Sequence, residues 1–254
     1  MIKYKKIGSG RPFLFIHGWG MNSNIFFPLI DSLNKRKHEC IMIDLPGMGL
    51  NSDCSDMNIE MIIELIEKNK IEEFDILGWS FGGQVAVKIL NQIKLNENNK
   101  IFLVSSTPKF INEKQWHCGV DENIFLKFSN ELSKNPNKTI RKFIALQTYN
   151  SEHSKGAIEK LIKNVGEQKL NLDILHKHLE LMMEDDLREI FEILSRFKTY
   201  LIAGKEDYIV PVESQYYMLD QYAIEKSLII DKAGHIPFLS HTELCKNFIE
   251  ETYE

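Results

Sequence analysis

The sequence predicts an α/β fold in which a mostly parallel central sheet is covered by helices on both faces. Short apolar, β-rich runs recur along the chain, and each is followed by a turn and a helical pattern. The runs are continuously apolar rather than alternating, which is typical of parallel strands buried on both faces. Strands are expected at residues 13–16, 40–44, 74–77, 101–104, 200–203 and 227–230. Ligands of such sheets bind beyond the carboxyl ends of the strands, so a site is expected in the loops that follow these runs.

The alternation of strands and helices stops between residues 108 and 195, where no run has the character of a strand. The periodicity of this stretch is helical, and it predicts helices at residues 122–132, 137–148, 154–168, 172–184 and 187–197. We therefore predict a core made of residues 1–107 and 196–254, with residues 108–195 inserted after one of its strands. An all-helical insertion at that position is well placed to form a lid over the site.

Length, charge and cysteine spacing narrow the class of protein. A chain of 254 residues fits one domain with an insertion, and its net charge of -5 gives no case for nucleic acid or an anionic membrane as a partner. No apolar run approaches the ~18 residues of a membrane span, and the first residues lack the apolar core of a signal peptide. The four cysteines are scattered, which indicates reduced thiols and a cytoplasmic protein. His176 and His178 would not share a helix face, so no metal site is predicted, and no other cofactor.

The most informative motif lies in residues 76–83, where an apolar strand runs into a glycine-rich turn and then into a helical pattern. The turn has the pattern G-x-S-x-G, formed by Gly78, Ser80 and Gly82. A sharp strand-to-helix turn lifts the serine hydroxyl above the sheet, and the flanking glycines make the strained backbone tolerable. Ser80 is therefore predicted to be a nucleophile; the alternative is a serine in an ordinary glycine-rich loop.

A serine hydroxyl needs a base to take its proton and an acid to orient that base. His235 is the predicted base, because it follows the last strand in a loop that can carry it over the sheet. His17 also follows a strand, but it precedes the serine, and we expect it to hydrogen-bond its own loop. Asp207 follows the strand at 200–203 and is the predicted acid, with Glu206 as the neighbouring alternative. The chain order Ser, Asp, His is that of the α/β-hydrolases.

Acyl transfer also needs donors for the oxyanion of the tetrahedral intermediate. One is expected to be the backbone N–H of Phe81, directly after the nucleophile, and the second an N–H of the loop after the first apolar strand. We assign the second to Trp19. Asp44 follows another strand end, but Pro46, Gly47 and Gly49 after it favour a structural role in its loop.

Several segments of the chain match one known family. They are residues 17–22, 44–49, 77–83, 143–148, 186–188 and 233–241. The chain resembles the α/β-hydrolase superfamily throughout, and within it the pimeloyl-[acyl-carrier protein] methyl ester esterases of biotin synthesis. Trp79, the run at 143–148 and the Pro-Phe pair after His235 are the more specific signals. Phe81 stands where we expect leucine in that family, and the insertion is richer in lysine than in arginine.

The resemblance implies an esterase that cleaves the methyl ester of a pimeloyl chain carried on acyl-carrier protein. It implies Ser80, Asp207 and His235 as the catalytic triad, with Trp19 and Phe81 at the oxyanion hole. The substrate-binding channel would be lined by Trp19 and by Phe143, Ile144, Ala145, Leu146 and Gln147.

The charge distribution offers an independent reason to expect this partner. Residues 127–163 contain eight basic and three acidic residues, a net charge of +5 inside a chain of -5. Acyl-carrier protein is strongly acidic, so a basic face on the insertion would steer it there. The expected contacts are Lys138, Arg141, Lys142 and Lys155; for any single lysine a solvated helix face is the alternative.

Two other functions stay open at this point. The first is a general short-chain carboxylesterase acting on small esters, or a hydrolase that cleaves C–C bonds. The second is a ligand receptor without catalytic activity on the same scaffold, which an intact triad disfavours.

Overall fold

The computed structural model describes residues 2–54, 56, 58–69, 71, 73–94, 97–149, 151, 156 and 171–254. Its centre is a seven-stranded sheet with the strand order β1-β3-β2-β4-β5-β6-β7. The strands are β1 (Tyr4–Gly8), β2 (Arg11–Ile16), β3 (His38–Ile43), β4 (Asp75–Trp79), β5 (Lys100–Val104), β6 (Lys198–Gly204) and β7 (Lys226–Ile230). The predicted α/β class is confirmed, and all six predicted strands are present.

The first strand, β1, is the one that the apolar runs do not reveal. It pairs with β3 in the antiparallel direction at the edge of the sheet, whereas the other neighbouring strands run parallel. Its residues are half-buried or exposed and include two lysines. An edge strand with one solvated face lacks the continuous apolar run of a buried parallel strand, so this element was not predicted.

The helices of the described residues cover the sheet and fill its connections. They are α1 (Phe27–Ser32), α2 (Glu60–Lys68), α3 (Phe81–Gln92), α4 (Glu122–Lys134), α5 (Pro136–Gln147), α6 (Leu172–Glu184), α7 (Val212–Gln221), α8 (Pro237–Ser240) and α9 (Thr242–Glu251). Three short 3₁₀ helices join them at Ser23–Phe26, Gly49–Asn51 and Ile190–Arg196. Within this described part, no helix has the length and apolar character that crossing a membrane requires.

Helices α4, α5 and α6 lie between β5 and β6, in the stretch predicted to be helical. Their bounds agree with the predicted helices at 122–132, 137–148 and 172–184 to within two residues, while the predicted helix at 154–168 lies outside the described residues. The prediction for 187–197 was wrong in type, because this segment forms the 3₁₀ helix Ile190–Arg196. Its buried residues Phe191, Leu194 and Phe197 are three apart, which matches three residues per turn rather than 3.6.

The two ends of this helical stretch are held together at its base. The Leu187 N–H donates to the Pro108 carbonyl over 3.0 Å. Beside it, the Lys109 ammonium lies 3.1 Å from the Asp186 carboxylate, which also accepts hydrogen bonds from the Arg188 guanidinium. These contacts tie the segment that leaves β5 to the segment that leads into β6. The division into core and lid stays a prediction.

Candidate active site

Ser80 occupies a strained turn between β4 and α3. Its φ of 57° and ψ of −124° lie in a region that residues other than glycine rarely adopt. A Cβ on Gly78 would lie 2.5 Å from the Gly83 Cα, and one on Gly82 would lie 2.3 Å from the Ile16 carbonyl oxygen. The glycines of the motif are therefore required by close backbone approach, and they allow the serine hydroxyl to stand above the end of the strand.

The structure brings His235 to this serine. The Ser80 hydroxyl lies 2.9 Å from His235 Nε2, and His235 is almost completely buried. Its backbone is fixed from two sides, because its N–H donates to the Gln147 carbonyl and its carbonyl accepts from the Trp79 indole. The imidazole is thus held where Nε2 can accept the serine proton.

Asp207 is hydrogen-bonded to the other ring nitrogen of His235, on the side of the imidazole away from Ser80. His235 Nδ1–H donates to Asp207 Oδ2 over 2.8 Å. The other oxygen, Oδ1, accepts from the N–H groups of Ile209 and Val210 at 2.8 and 2.9 Å. Since a carboxylate can only accept, Asp207 selects the tautomer of His235 that leaves Nε2 free to act as a base.

The alternatives raised by the sequence take other positions. Glu206 is not among the hydrogen-bond partners of His235; its backbone N–H donates to the Ala233 carbonyl. His17 donates from Nδ1 to the Gly18 carbonyl and accepts at Nε2 from the Leu45 N–H, so it fastens loops as expected. Burial lowers the pKa of His17 and keeps it neutral.

Asp44 has the structural role expected from its loop. Its carboxylate accepts the N–H groups of Ser23 and Leu50 at 2.6 and 2.8 Å. These bonds join the loop after β3 to the loop after β2, and they leave Asp44 bound to backbone rather than to the triad.

The candidate oxyanion donors come from neighbouring strands. Strands β2 and β4 pair with Ile16 opposite Gly78, so the loops that follow them stay adjacent, and a Cβ on Gly18 would lie 3.1 Å from the Ser80 Cβ. Trp19 lies in the loop after β2, and Phe81 is the first residue of α3, directly after the Ser80 turn. Among the hydrogen bonds of the described backbone, none is donated by their N–H groups. The Trp19 side chain is fixed separately, because its indole donates to the Leu175 carbonyl of α6 over 3.0 Å.

An apolar cavity of about 110 Å³ lies beside these loops, under the helices. Its walls include Trp19, Phe143 and Leu146 of the predicted channel, but not Ile144, Ala145 or Gln147. Successive residues of a helix point in different directions, so a continuous run of five cannot line one cavity. The sequence analysis missed the remaining lining residues: Phe110, Val120, Ile124, Phe125, Phe128, Leu179, Met182, Tyr208 and Ile209. The helical spacing of Ile124, Phe125 and Phe128 was a signal for an apolar face, although it does not say what that face covers.

Gln147 stands out among the predicted channel residues. Its side chain is 1 % exposed, and neither its amide oxygen nor its amide nitrogen has a hydrogen-bond partner among the described residues. The backbone carbonyl of Gln147 accepts a hydrogen bond from the backbone N–H of His235. The buried amide of Gln147 therefore has donors and an acceptor that the described residues leave unused.

The predicted basic contacts lie on the outer face of the same helices. Lys138, Arg141 and Lys142 are exposed on α5, and none of them forms an ion pair with another described residue. Lys155 lies outside the described residues.

In the part of the chain that the structure covers, no group of three or more His, Cys, Asp or Glu side chains could hold a metal ion.

Comparison with known proteins shows the fold family of the chain. Residues 11–242 match the family model described as the alpha/beta hydrolase fold. The esterase of Exiguobacterium antarcticum has the same fold, with a TM-score of 0.85 over 99% of this chain and 94% of that one, at 22% identity.

Two curated relatives are similar along nearly their whole length. The pimeloyl-[acyl-carrier protein] methyl ester esterase of Pseudoalteromonas atlantica is 34% identical over 95% of this chain and 94% of its own. The enzyme of that name from Legionella pneumophila strain Corby is 34% identical over 98% of both chains. The chain therefore belongs to the α/β-hydrolase family and, within it, to the pimeloyl-[acyl-carrier protein] methyl ester esterases.

Proposed function

We propose that this protein is a serine carboxylesterase that hydrolyses the methyl ester of pimeloyl-acyl-carrier protein. The observation that carries the proposal is the pair of hydrogen bonds made by His235, one to Ser80 and one to Asp207. The substrate is inferred from relatives that carry this name and match the chain over nearly its full length. The cytoplasmic location stays a prediction from the sequence.

In the first half of the reaction His235 takes the Ser80 proton at Nε2, and the serine oxygen attacks the ester carbonyl carbon. Asp207 stabilises the imidazolium that forms. The carbonyl oxygen becomes an oxyanion, which the N–H groups of Phe81 and Trp19 receive; donors fixed before the reaction need no reorganisation as the charge develops. His235 then passes its proton to the methoxy oxygen, and methanol leaves.

In the second half water replaces methanol. His235 removes a proton from the water, and the hydroxide attacks the acyl-enzyme carbonyl through a second tetrahedral intermediate. Collapse of this intermediate returns the proton to Ser80 and frees the carboxylic acid. The net reaction consumes one ester and one water and yields one carboxylate, one proton and methanol, without a cofactor.

The cavity and its surroundings fit a long acyl chain that is attached to a carrier. The apolar cavity beside Trp19 offers aromatic and aliphatic walls to the methylene groups. An outer groove of about 220 Å³ between α4 and α5 shares Ile124, Phe128, Phe143 and Leu146 with this cavity, and adds Lys127, Glu131, Thr139 and Lys142. An acyl chain in the apolar cavity would reach a polar, basic surface through the outer groove, as an acyl group on a carrier requires.

The basic face of α5 supports an acidic partner at the mouth of this path. Arg141 and Lys142 lie next to the channel residue Phe143, and Lys138 is one turn before Lys142. Because these exposed cations have no ion-pair partner among the described residues, they are available to carboxylates of a carrier protein. Lys155 is retained in this proposal from the sequence alone.

The experiment is demethylation of purified methyl pimeloyl-acyl-carrier protein, with product resolved from substrate by gel shift. We expect turnover of the carrier substrate with a higher kcat/KM than that of p-nitrophenyl butyrate. Rapid hydrolysis of the small ester with none of the carrier substrate would favour a general esterase and overturn the substrate assignment. Failure to hydrolyse either ester would favour a receptor.

A further inference from the structure

A third buried histidine, His178 of α6, lies close to the candidate active site and has no role in the mechanism described so far. Helix α6 packs over the loops that carry the site. Ile174 faces Gly47, where an added Cβ would lie 2.4 Å from its side chain, and the Leu175 carbonyl accepts the Trp19 indole. One turn later, the imidazole of His178 contacts the ring of Phe81, with 5.2 Å between the ring centroids. His178 therefore lies against the residue that directly follows Ser80.

The hydrogen-bonding state of His178 differs from that of its buried neighbours. His17 and His235 each use both ring nitrogens. His178 is 0% exposed, and neither of its nitrogens has a partner among the described residues. Burial, with a smaller contribution from His17, lowers the pKa of His178 to about 3. The imidazole is thus neutral near pH 7 and offers one N–H donor and one acceptor.

An unpartnered polar group at this position is unfavourable for folding alone. The residues around it on α6, which are Ile174, Leu175, Leu179 and Met182, are buried and apolar. A leucine would continue this face, whereas each buried donor or acceptor without a partner lowers stability. The open hydrogen bonds of His178 are accounted for if they are filled when a molecule occupies the site.

We propose that His178 is a substrate-binding residue, whose neutral imidazole donates a hydrogen bond to an oxygen of the ester group held at Ser80. The proposal rests on the esterase function given above. The ester end is preferred to the distal end of the chain because α6 places His178 against Phe81, whose N–H is a candidate oxyanion donor.

The test compares His178→Leu, His178→Asn and a control, His176→Leu. His176 is on the same helix, but it bonds Ser129 and Ser133 of α4 and does not contact the site. We expect His178→Leu to lower kcat/KM for dimethyl pimelate about 10- to 100-fold, mostly in kcat, because the bond strengthens as charge develops on the ester oxygen. His178→Asn keeps a donor and should retain most of the activity; His176→Leu should match the wild type.

Thermal unfolding separates binding from a structural role. We expect His178→Leu to raise Tm while it lowers kcat, since it removes an unpaired polar group and a substrate contact together. A kcat/KM within twofold of wild type would overturn the proposal, whichever way Tm moves.

A second measurement does not depend on turnover. In a Ser80→Ala background with ¹⁵N-labelled histidine, dimethyl pimelate should shift the His178 imidazole resonances and leave those of His176 unchanged. The absence of a shift would overturn the proposal. Failure of the carrier-protein assignment is distinguishable, because it would appear in the wild-type enzyme as loss of activity on the carrier substrate alone.

Discussion

The two ends of strand β4 carry buried carboxylate networks that look alike and do different work. At the carboxyl end the Ser80 hydroxyl is hydrogen-bonded to His235, which in turn is hydrogen-bonded to Asp207. At the amino end Asp75 is completely buried and accepts hydrogen bonds from Arg11 Nε (3.0 Å), the Tyr253 hydroxyl (2.6 Å) and the Lys100 N–H (2.8 Å). Both aspartates have all their oxygens occupied, so burial and hydrogen bonding alone do not identify the reactive end.

The difference lies in the partner of each carboxylate. Arg11 does not give up its proton in a protein, and burial next to Asp75 raises the pKa of Tyr253 far above its usual range. That network therefore holds its protons and joins β2, β4, β5 and the C-terminal segment. Asp207 instead faces an imidazole, the one side chain that exchanges a proton readily near neutral pH, and that imidazole faces a strained serine. The reactive end is recognised by a group that can change its protonation state beside a nucleophile.

The largest effect that sharpens this comparison is expected from Asp207→Asn. The amide can donate to His235 Nδ1 and so favours the wrong tautomer, which lowers kcat about 10⁴-fold by analogy with other triads. Steady-state kinetics on p-nitrophenyl butyrate measures it, with circular dichroism as the check on folding. A loss of less than tenfold would contradict the role given to Asp207.

The matched substitution at the other end, Asp75→Asn, should act on stability instead. It removes the buried charge that accepts from Arg11 and Tyr253, although Glu73 still pairs with Arg11, and we expect the free energy of unfolding to fall by about 2 kcal/mol. Urea denaturation measures this change. The kcat of the protein that remains folded should stay within twofold of wild type, and a large fall in kcat would break the division of work between the two ends.

A smaller effect is expected from charge reversal on the helices over the carboxyl end. Arg141→Glu combined with Lys142→Glu should lower kcat/KM for the carrier substrate about tenfold and leave p-nitrophenyl butyrate unaffected. Lys198→Glu, at the amino end of β6, is the control and should change neither. Equal losses on both substrates would contradict a role of this basic face in binding the carrier protein.

The last comparison, on the pH dependence of stability, is between buried histidines at the two ends of the sheet. Burial lowers the pKa of His178 to about 3 and also lowers that of His38, where Glu250 opposes the shift. When the pH is below the ordinary histidine pKa of 6.5, the imidazole is protonated in the unfolded chain but stays neutral in the folded protein. The free energy of unfolding therefore falls as the pH falls. Between pH 7 and pH 5, His178→Asn should recover about 2 kcal/mol of the loss, and His38→Asn less. Urea titrations at both pH values measure it; equal recovery would contradict the comparison.

The sequence predicted the carboxyl end of the sheet better than the rest. The continuous apolar runs placed six strands, and the residues that follow them, Ser80, Asp207 and His235, needed only chain order to be grouped. These features are local, because each depends on a few adjacent residues.

What the sequence did not reveal depends on long-range packing. Strand β1 is stabilised by its neighbour β3 rather than by its own pattern, and the Asp75 network joins residues from four separate segments. The side chains of Gln147 and His178 lack hydrogen-bond partners because of the residues that pack around them in the folded chain, and no local sequence motif predicts this packing. The spacing of His176 and His178 predicted only that they form no metal site; the contact of His178 with Phe81 depends on the packing of α6.

Replacement of the nucleophile tests the central claim most directly. Ser80→Ala should reduce demethylation of methyl pimeloyl-acyl-carrier protein by 10⁴-fold or more, on the order seen when triad nucleophiles are removed, while the unfolding curve stays close to that of the wild type. If purified Ser80→Ala protein, free of contaminating esterase, retained most of the wild-type rate, the assignment of this site as a serine esterase would be contradicted.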